Sequence, residues 1–140
     1  MTTQSESSPA GATSELIRGV DFVGVPTQDL EQAVRFYGDT LGLERSVYIP
    51  ERGFAEFETG NLTLSVIVPE KMGMEHFTSR APIALHVDDM AQARARLADA
   101  GVEFQGEPFD TGVCLMSFFT DPNGNALMLH HRYAPRTPQP

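Results

Sequence analysis

The chain repeats itself. Val23-Gly24-Val25, Asp29-Leu30, Ala33 and Tyr37 recur as Ile83-Ala84-Leu85, Asp89-Met90, Ala93 and Leu97, each pair sixty positions apart with no gap. Downstream, Gly60-Asn61-Leu62-Thr63-Leu64 parallels Gly124-Asn125-Ala126-Leu127-Met128 at an offset of sixty-four. Order, spacing and capping chemistry agree, which points to duplication of one supersecondary unit rather than to chance likeness between amphipathic stretches. Within 140 residues the two copies share a single domain, long enough to bury one core.

Each copy reads as strand, helix and then strands. Residues 19–26 and 82–87 alternate or run apolar, as strands do. Asp29 and Asp89 each stand three residues before a glutamine, Gln32 and Gln92. This is a variant of the capping box in which the aspartate accepts from first-turn amides. Leu30, Ala33, Val34 and Tyr37 then share one helical face, as do Met90, Ala93, Leu97 and Ala100. Further strands are expected at Arg45–Ile49, Ala55–Phe57 and Leu62–Val68, and again at Val102–Gln105, Leu115–Phe119 and Ala126–His131, with Gly, Pro and Asn turn signals between them. The pattern predicts an α+β fold of two βαβββ modules, 17–69 and 81–133, in one domain over 17–133. Residues 70–80 form a surface linker, and 1–16 and 134–140 read as flexible tails. A helix between the first two strands covers one sheet face and leaves the other to line a cavity.

Composition narrows the partners. A net charge of -9 leaves no basic face for phosphate backbones or anionic lipid, so neither nucleic acid nor membrane is an expected partner. The hydrophobic share of 41% and charged share of 21% are those of an ordinary globular protein. No apolar run approaches the ~20 residues of a bilayer span, and the Ser/Thr/Gly-rich start has neither the basic nor the apolar region of a secretory signal. The single cysteine, Cys114, permits no internal disulfide and no Cys-cluster metal site. A cytoplasmic location is expected.

Three stretches carry a family resemblance. They are Asp29-Leu30-Glu31-Gln32-Ala33-Val34-Arg35-Phe36-Tyr37 with Leu41-Gly42-Leu43, Val87-Asp88-Asp89-Met90 with Ala100-Gly101-Val102, and Phe119-Thr120-Asp121-Pro122-Asn123-Gly124-Asn125. In that order the chain resembles the glyoxalase/bleomycin-resistance, or vicinal oxygen chelate (VOC), superfamily. The resemblance implies an open eight-stranded barrel-like cleft, commonly in a homodimer. It also implies four strand positions that in many members hold a divalent metal with His, Glu or Gln. Here those positions fall on Phe22, Pro82, Met128 and, as the repeat mate of Met128, Leu64. None supplies the imidazole nitrogen or carboxylate oxygen that Mg, Mn, Ni, Fe or Zn takes. A one-residue slip at Leu64 would bring in Thr63 or Ser65, neither a normal ligand. No metal and no cofactor is therefore expected. Phe22, Leu64, Pro82 and Met128 instead offer an apolar, adaptable lining for a flat, partly aromatic ligand. The expected function is metal-free binding of a small organic molecule, such as an aromatic or antibiotic-like compound.

Strand parity sets His86 beside Pro82 and His130 beside Met128, so both join the ligand-binding set. They are also the candidate acid–base residues of a cofactor-independent lyase, isomerase or cyclase. A displaced metal site would draw on His86, His130 and Glu56 or Glu58. A dimerising module whose cleft is filled by these same apolar side chains is the third reading. Cys114 reads as a small buried hydrophobe, Arg94 and Arg96 as solvated surface, and Asp121-Pro122-Asn123-Gly124 as a plain turn.

Overall fold

The structure is a computed structural model that describes residues 14–136. The tails expected at 1–16 and 134–140 lie largely outside them. The first copy comprises β1 (Phe22–Pro26), α1 (Leu30–Arg35), β2 (Glu44–Ile49), β3 (Phe54–Glu58) and β4 (Thr63–Ile67). The second comprises β5 (Ile83–His86), α2 (Met90–Asp99), β6 (Phe109–Asp110), β7 (Cys114–Thr120) and β8 (Ala126–Arg132). The sheets run β1-β4-β3-β2 and β5-β8-β7-β6, the same order twice. In each, the first strand lies parallel to the last and the remaining neighbours are antiparallel. This is the α+β duplication expected, in two four-stranded sheets that do not close into a barrel. No helix among the described residues is long and apolar enough to cross a membrane.

Both helices start where their capping residues stand. Asp29 accepts from the Gln32 backbone N–H at 3.0 Å, and Asp89 from the Gln92 backbone N–H at 3.0 Å. α1 runs on into a wider π turn over Phe36–Thr40, where the Leu41 N–H donates to the Phe36 carbonyl at 2.9 Å. That turn carries the buried Phe36 and Tyr37. Gly42 (φ 75) and Gly101 (φ 101) then take the left-handed conformation in which the chain leaves each helix.

Strand alternation sorts the core. Val23, Val25, Ala55, Phe57, Leu64 and Val66 from the first sheet join Ala33, Phe36 and Tyr37 in one cluster with Met90, Phe119, Leu127 and Leu129. Full burial of such side chains is worth about 1.5–3 kcal/mol each, and one cluster serves both modules.

Polar contacts join the halves at the edge of that core. The Tyr37 hydroxyl donates to Asp121 Oδ2 at 2.6 Å, across 84 positions of sequence. Asn125 Nδ2 donates to the same carboxylate at 2.8 Å and to the Pro26 carbonyl at 2.7 Å. The Asn125 side-chain oxygen accepts from Ser79 N–H at 2.9 Å, which pins the linker as well. Tyr37, Asp121 and Asn125 are all buried. Burial, then the Asp121 charge, push the Tyr37 hydroxyl far above its ordinary range, so it remains a donor. The segment Asp121-Pro122-Asn123-Gly124 is thus more than the plain turn it resembles in sequence.

Two other expectations change. Val102–Gln105 is not a strand: the Gln105 N–H donates to the Phe118 carbonyl at 2.8 Å, but Gly106 (φ 79) then turns the chain and Pro108 has no N–H, so ladder pairing begins at Phe109–Asp110. Val102 and Phe104 still pack against the core. Arg94 is half-buried rather than solvated, because its guanidinium lies 4.6 Å from the Phe104 ring centroid and donates to Ser117 Oγ. Removing the hydroxyl with Tyr37→Phe should cost about 1–2 kcal/mol of stability in urea unfolding. Asn125→Ala should cost more, because it strips partners from the Pro26 carbonyl and the Ser79 amide. A Tyr37→Phe midpoint equal to wild type would mean that Asp121 is satisfied without it.

Candidate functional site

The face of each sheet opposite the helices is the surface to which the sequence assigns the ligand. On the first sheet, pairing Phe22 with Thr63, Gly24 with Ser65, Glu56 with Ser65 and Glu58 with Thr63 puts all six on that face. Phe22 is 58% exposed. Glu58 is held there by Ser46 Oγ, donating at 2.5 Å, and by Thr63 Oγ1, donating at 2.7 Å. Those bonds, Ser46 first, keep its carboxyl below the usual range.

Leu64 is not on that face. It is 1% exposed, pairs with Val23 and Phe57, and belongs to the core cluster. The physical reason is register. Gly24 pairs with Ser65 where its repeat mate Ala84 pairs with Met128, so the residue equivalent to Met128 is Ser65. The turn before β4 and the turn before β8 differ by one residue from the alignment of their Gly-Asn pairs, and a slip of one inverts every side chain.

On the second sheet, Ala84 pairs with Met128 and His86 with His130, while Met128 and His130 pair across β7 with Phe118 and Met116. Four predicted residues, Pro82, His86, Met128 and His130, therefore gather on or beside one sheet. Pro82 and His86 are exposed, and Met128 and His130 half-buried. His86 Nε2 lies 2.9 Å from Asp88 Oδ1. The sequence reading missed Arg132, which continues the alternation Met128, His130, Arg132 on β8 and pairs with Cys114. The period of two would have found it.

The grooves visible on one chain lie elsewhere. One of about 490 Å³ runs between the π turn after α1 at Phe36 and Thr40, the loop 101–105 and Thr120. Another of about 510 Å³ flanks α2, bounded by Met90, Arg94, Phe104, Pro108 and Leu115. Neither includes Phe22, Pro82, His86, Met128 or His130. Both are shallow furrows along helix flanks, whereas the sheet faces are open platforms bearing aromatic, thioether and imidazole groups. Among the described residues no three His, Cys, Asp or Glu side chains converge as a metal site. Phe22, Pro82, Met128 and Ser65 do not fit the family's metal.

Residues 19–129 match the family described as the Glyoxalase/Bleomycin resistance protein/Dioxygenase superfamily. The chain belongs to that superfamily. No curated protein matches it, but several solved structures share its fold. TnmS3, an antibiotic binding protein from Streptomyces sp. CB03234, is 27% identical with a TM-score of 0.72, over 85% of this chain and 99% of its own. A member of the superfamily from Sphaerobacter thermophilus DSM 20745 is 24% identical with a TM-score of 0.71, over 84% and 99%. Lactoylglutathione lyase from Agrobacterium tumefaciens is 17% identical with a TM-score of 0.71, over 82% and 94%.

The corrected register has a direct stability test. Leu64→Ala should cost about 2–5 kcal/mol in urea unfolding, as core truncations do. Phe22→Ala, at an exposed position, should cost far less. Equal losses at the two positions would place Phe22 in the core and close the platform.

Proposed function

We propose that this superfamily member binds a small, flat, partly aromatic organic compound on its sheet faces without a metal. The carrying observation is that Phe22, Pro82 and Met128 occupy the positions where metal ligands would stand in other members, on open sheet faces that also carry Met116 and Phe118. An aromatic ring and polarisable thioethers adapt to a planar ligand at roughly 1 kcal/mol per contact beyond burial. The likeness to an antibiotic binding protein supports a ligand of that class, and a cytoplasmic binding role accompanies it.

The same proposal includes a homodimer. Phe22 is 58% and Phe109 59% exposed, with Ile17 and Val20 also open. Strands β1 and β5 each end a sheet with one edge unpaired. Exposed apolar surface beside free strand edges is what a second copy covers. Light scattering should return twice the chain mass at micromolar concentration, and a strictly monomeric mass would remove this element.

A second reading has one observation in its favour. His86 and His130 are register partners, and Asp88 orients the His86 ring at 2.9 Å. An oriented imidazole beside a second one has the chemistry of an acid–base pair for a cofactor-independent isomerase, lyase or cyclase. Recovering a bound ligand chemically unchanged after prolonged incubation separates binding from catalysis.

An unbiased small-molecule thermal-shift screen tests the main reading, since a true ligand stabilises only the folded state. Phe22→Ala should weaken any hit about tenfold, the equivalent of about 1.4 kcal/mol. EDTA should leave the melting temperature unchanged. A chelator-induced drop of several degrees, or stoichiometric metal in protein purified without an affinity tag, would overturn the metal-free reading.

A further inference from the structure

Arg132 is a cation without a partner on the proposed binding face. It ends β8 in the alternation that carries Met128 and His130, and its register partner across β7 is Cys114. The residue is half-buried, and its Nε is buried with no hydrogen-bond partner. The one ion pair among the described residues joins His86 and Asp88, so no carboxylate neutralises Arg132. Asp88, two residues beyond the His86–His130 pair on the neighbouring strand, is engaged with His86 at 2.9 Å, and Asp110 pairs with Leu115 and so belongs to the opposite face. Its carboxylate is already engaged by the Tyr133 hydroxyl at 2.7 Å and the Gly112 N–H at 2.9 Å. A chain of net charge -9 has carboxylates in excess, yet none is set against this guanidinium.

A half-buried guanidinium with an unmet donor is costly unless something accepts from it. We infer that the ligand is an anion: a flat apolar body carrying a carboxylate, sulfonate or acidic enol, whose charged oxygen accepts from Arg132 while the body lies over Met128 and Phe118. Guanidinium presents a fork of N–H donors that matches such oxyanions. This inference rests on the proposed binding face and adds to it the charge of the ligand.

Two fluorescent probes separate the two claims. Anilinonaphthalene sulfonate and phenylnaphthylamine share an aromatic body, and only the first is charged. Wild-type protein should bind the sulfonate about tenfold more tightly than the neutral amine. In Arg132→Gln the sulfonate should fall about tenfold to the level of the amine, whose own affinity stays constant. Arg132→Lys, which keeps the charge and loses the fork, should fall between them. Equal binding of both probes by wild type would overturn the anion inference while leaving the binding face intact. Sulfonate binding undiminished in Arg132→Gln would remove Arg132 from the site. Failure of both probes to bind would overturn the binding reading and this inference with it. Should Arg132→Gln not melt cooperatively, the wild-type difference between the two probes and the Arg132→Lys titration decide the matter.

Discussion

Asp121 carries a buried carboxylate that accepts four hydrogen bonds, from the Tyr37 hydroxyl, the Asn125 amide group and the backbone N–H groups of Asn123 and Asn125. A buried charge is tolerated only when its lone pairs are met. Here the donors arrive from both halves of the chain, so neither half satisfies the group alone. Through Asn125 the same network reaches the Pro26 carbonyl at the end of β1 and the Ser79 amide of the linker. Joining the modules through α1 and the β7–β8 turn directs the helix-side faces into one shared core. The opposite faces of both sheets are thereby left without cover, and they are the surfaces where a ligand or a second copy has room.

Much of this was legible in the sequence. The sixty-residue offset, the paired Asp caps and the Asp-Pro-Asn-Gly-Asn segment are local signals, and local chemistry decided the elements they mark. What failed was long-range. Leu64 was aligned with Met128 through two Gly-Asn pairs, but the strands register on Ser65 because the preceding turns differ by one residue. Val102–Gln105 has the composition of a strand, yet Gln105 makes a single bond to the Phe118 carbonyl of β7 and the ladder itself begins only after Pro108. Arg94 looked solvated because nothing in its own helix reveals that Phe104 and Ser117 lie beneath it. Arg132 is legible as a member of the open face by the period of two along β8, but its lack of a partner shows only in the folded chain.

The register correction changes the chemistry of the face as well as its inventory. With Leu64 in the core, the first sheet offers Thr63 and Ser65 between Phe22 and the glutamates Glu56 and Glu58. The second sheet offers Met128, His130, Met116 and Phe118. At the family's ligand positions the Ser65 hydroxyl, the Met128 thioether, Phe22 and Pro82 are poor ligands for a hard divalent ion, and among the described residues no three His, Cys, Asp or Glu side chains converge; thioethers and aromatic rings suit shallow, adaptable contact with an organic ring. The two copies of one ancestral unit have diverged in polarity while keeping the same strand order.

That divergence gives the two faces opposite electrostatic character. Hydrogen bonds from Ser46 and Thr63 hold the Glu58 carboxyl below its usual range, which favours its charged form. The carboxylate is exposed, which lets solvent and salt weaken its field, yet its sign is fixed. In the proposed binding mode an anionic ligand is repelled from the first sheet at Glu58 and attracted to the second at Arg132. On that proposal the field orients a flat molecule before it makes contact, its charged end toward β8 and its apolar body over the methionines. Charge placement of this kind decides which compounds are accepted, while the apolar area decides how tightly they are held.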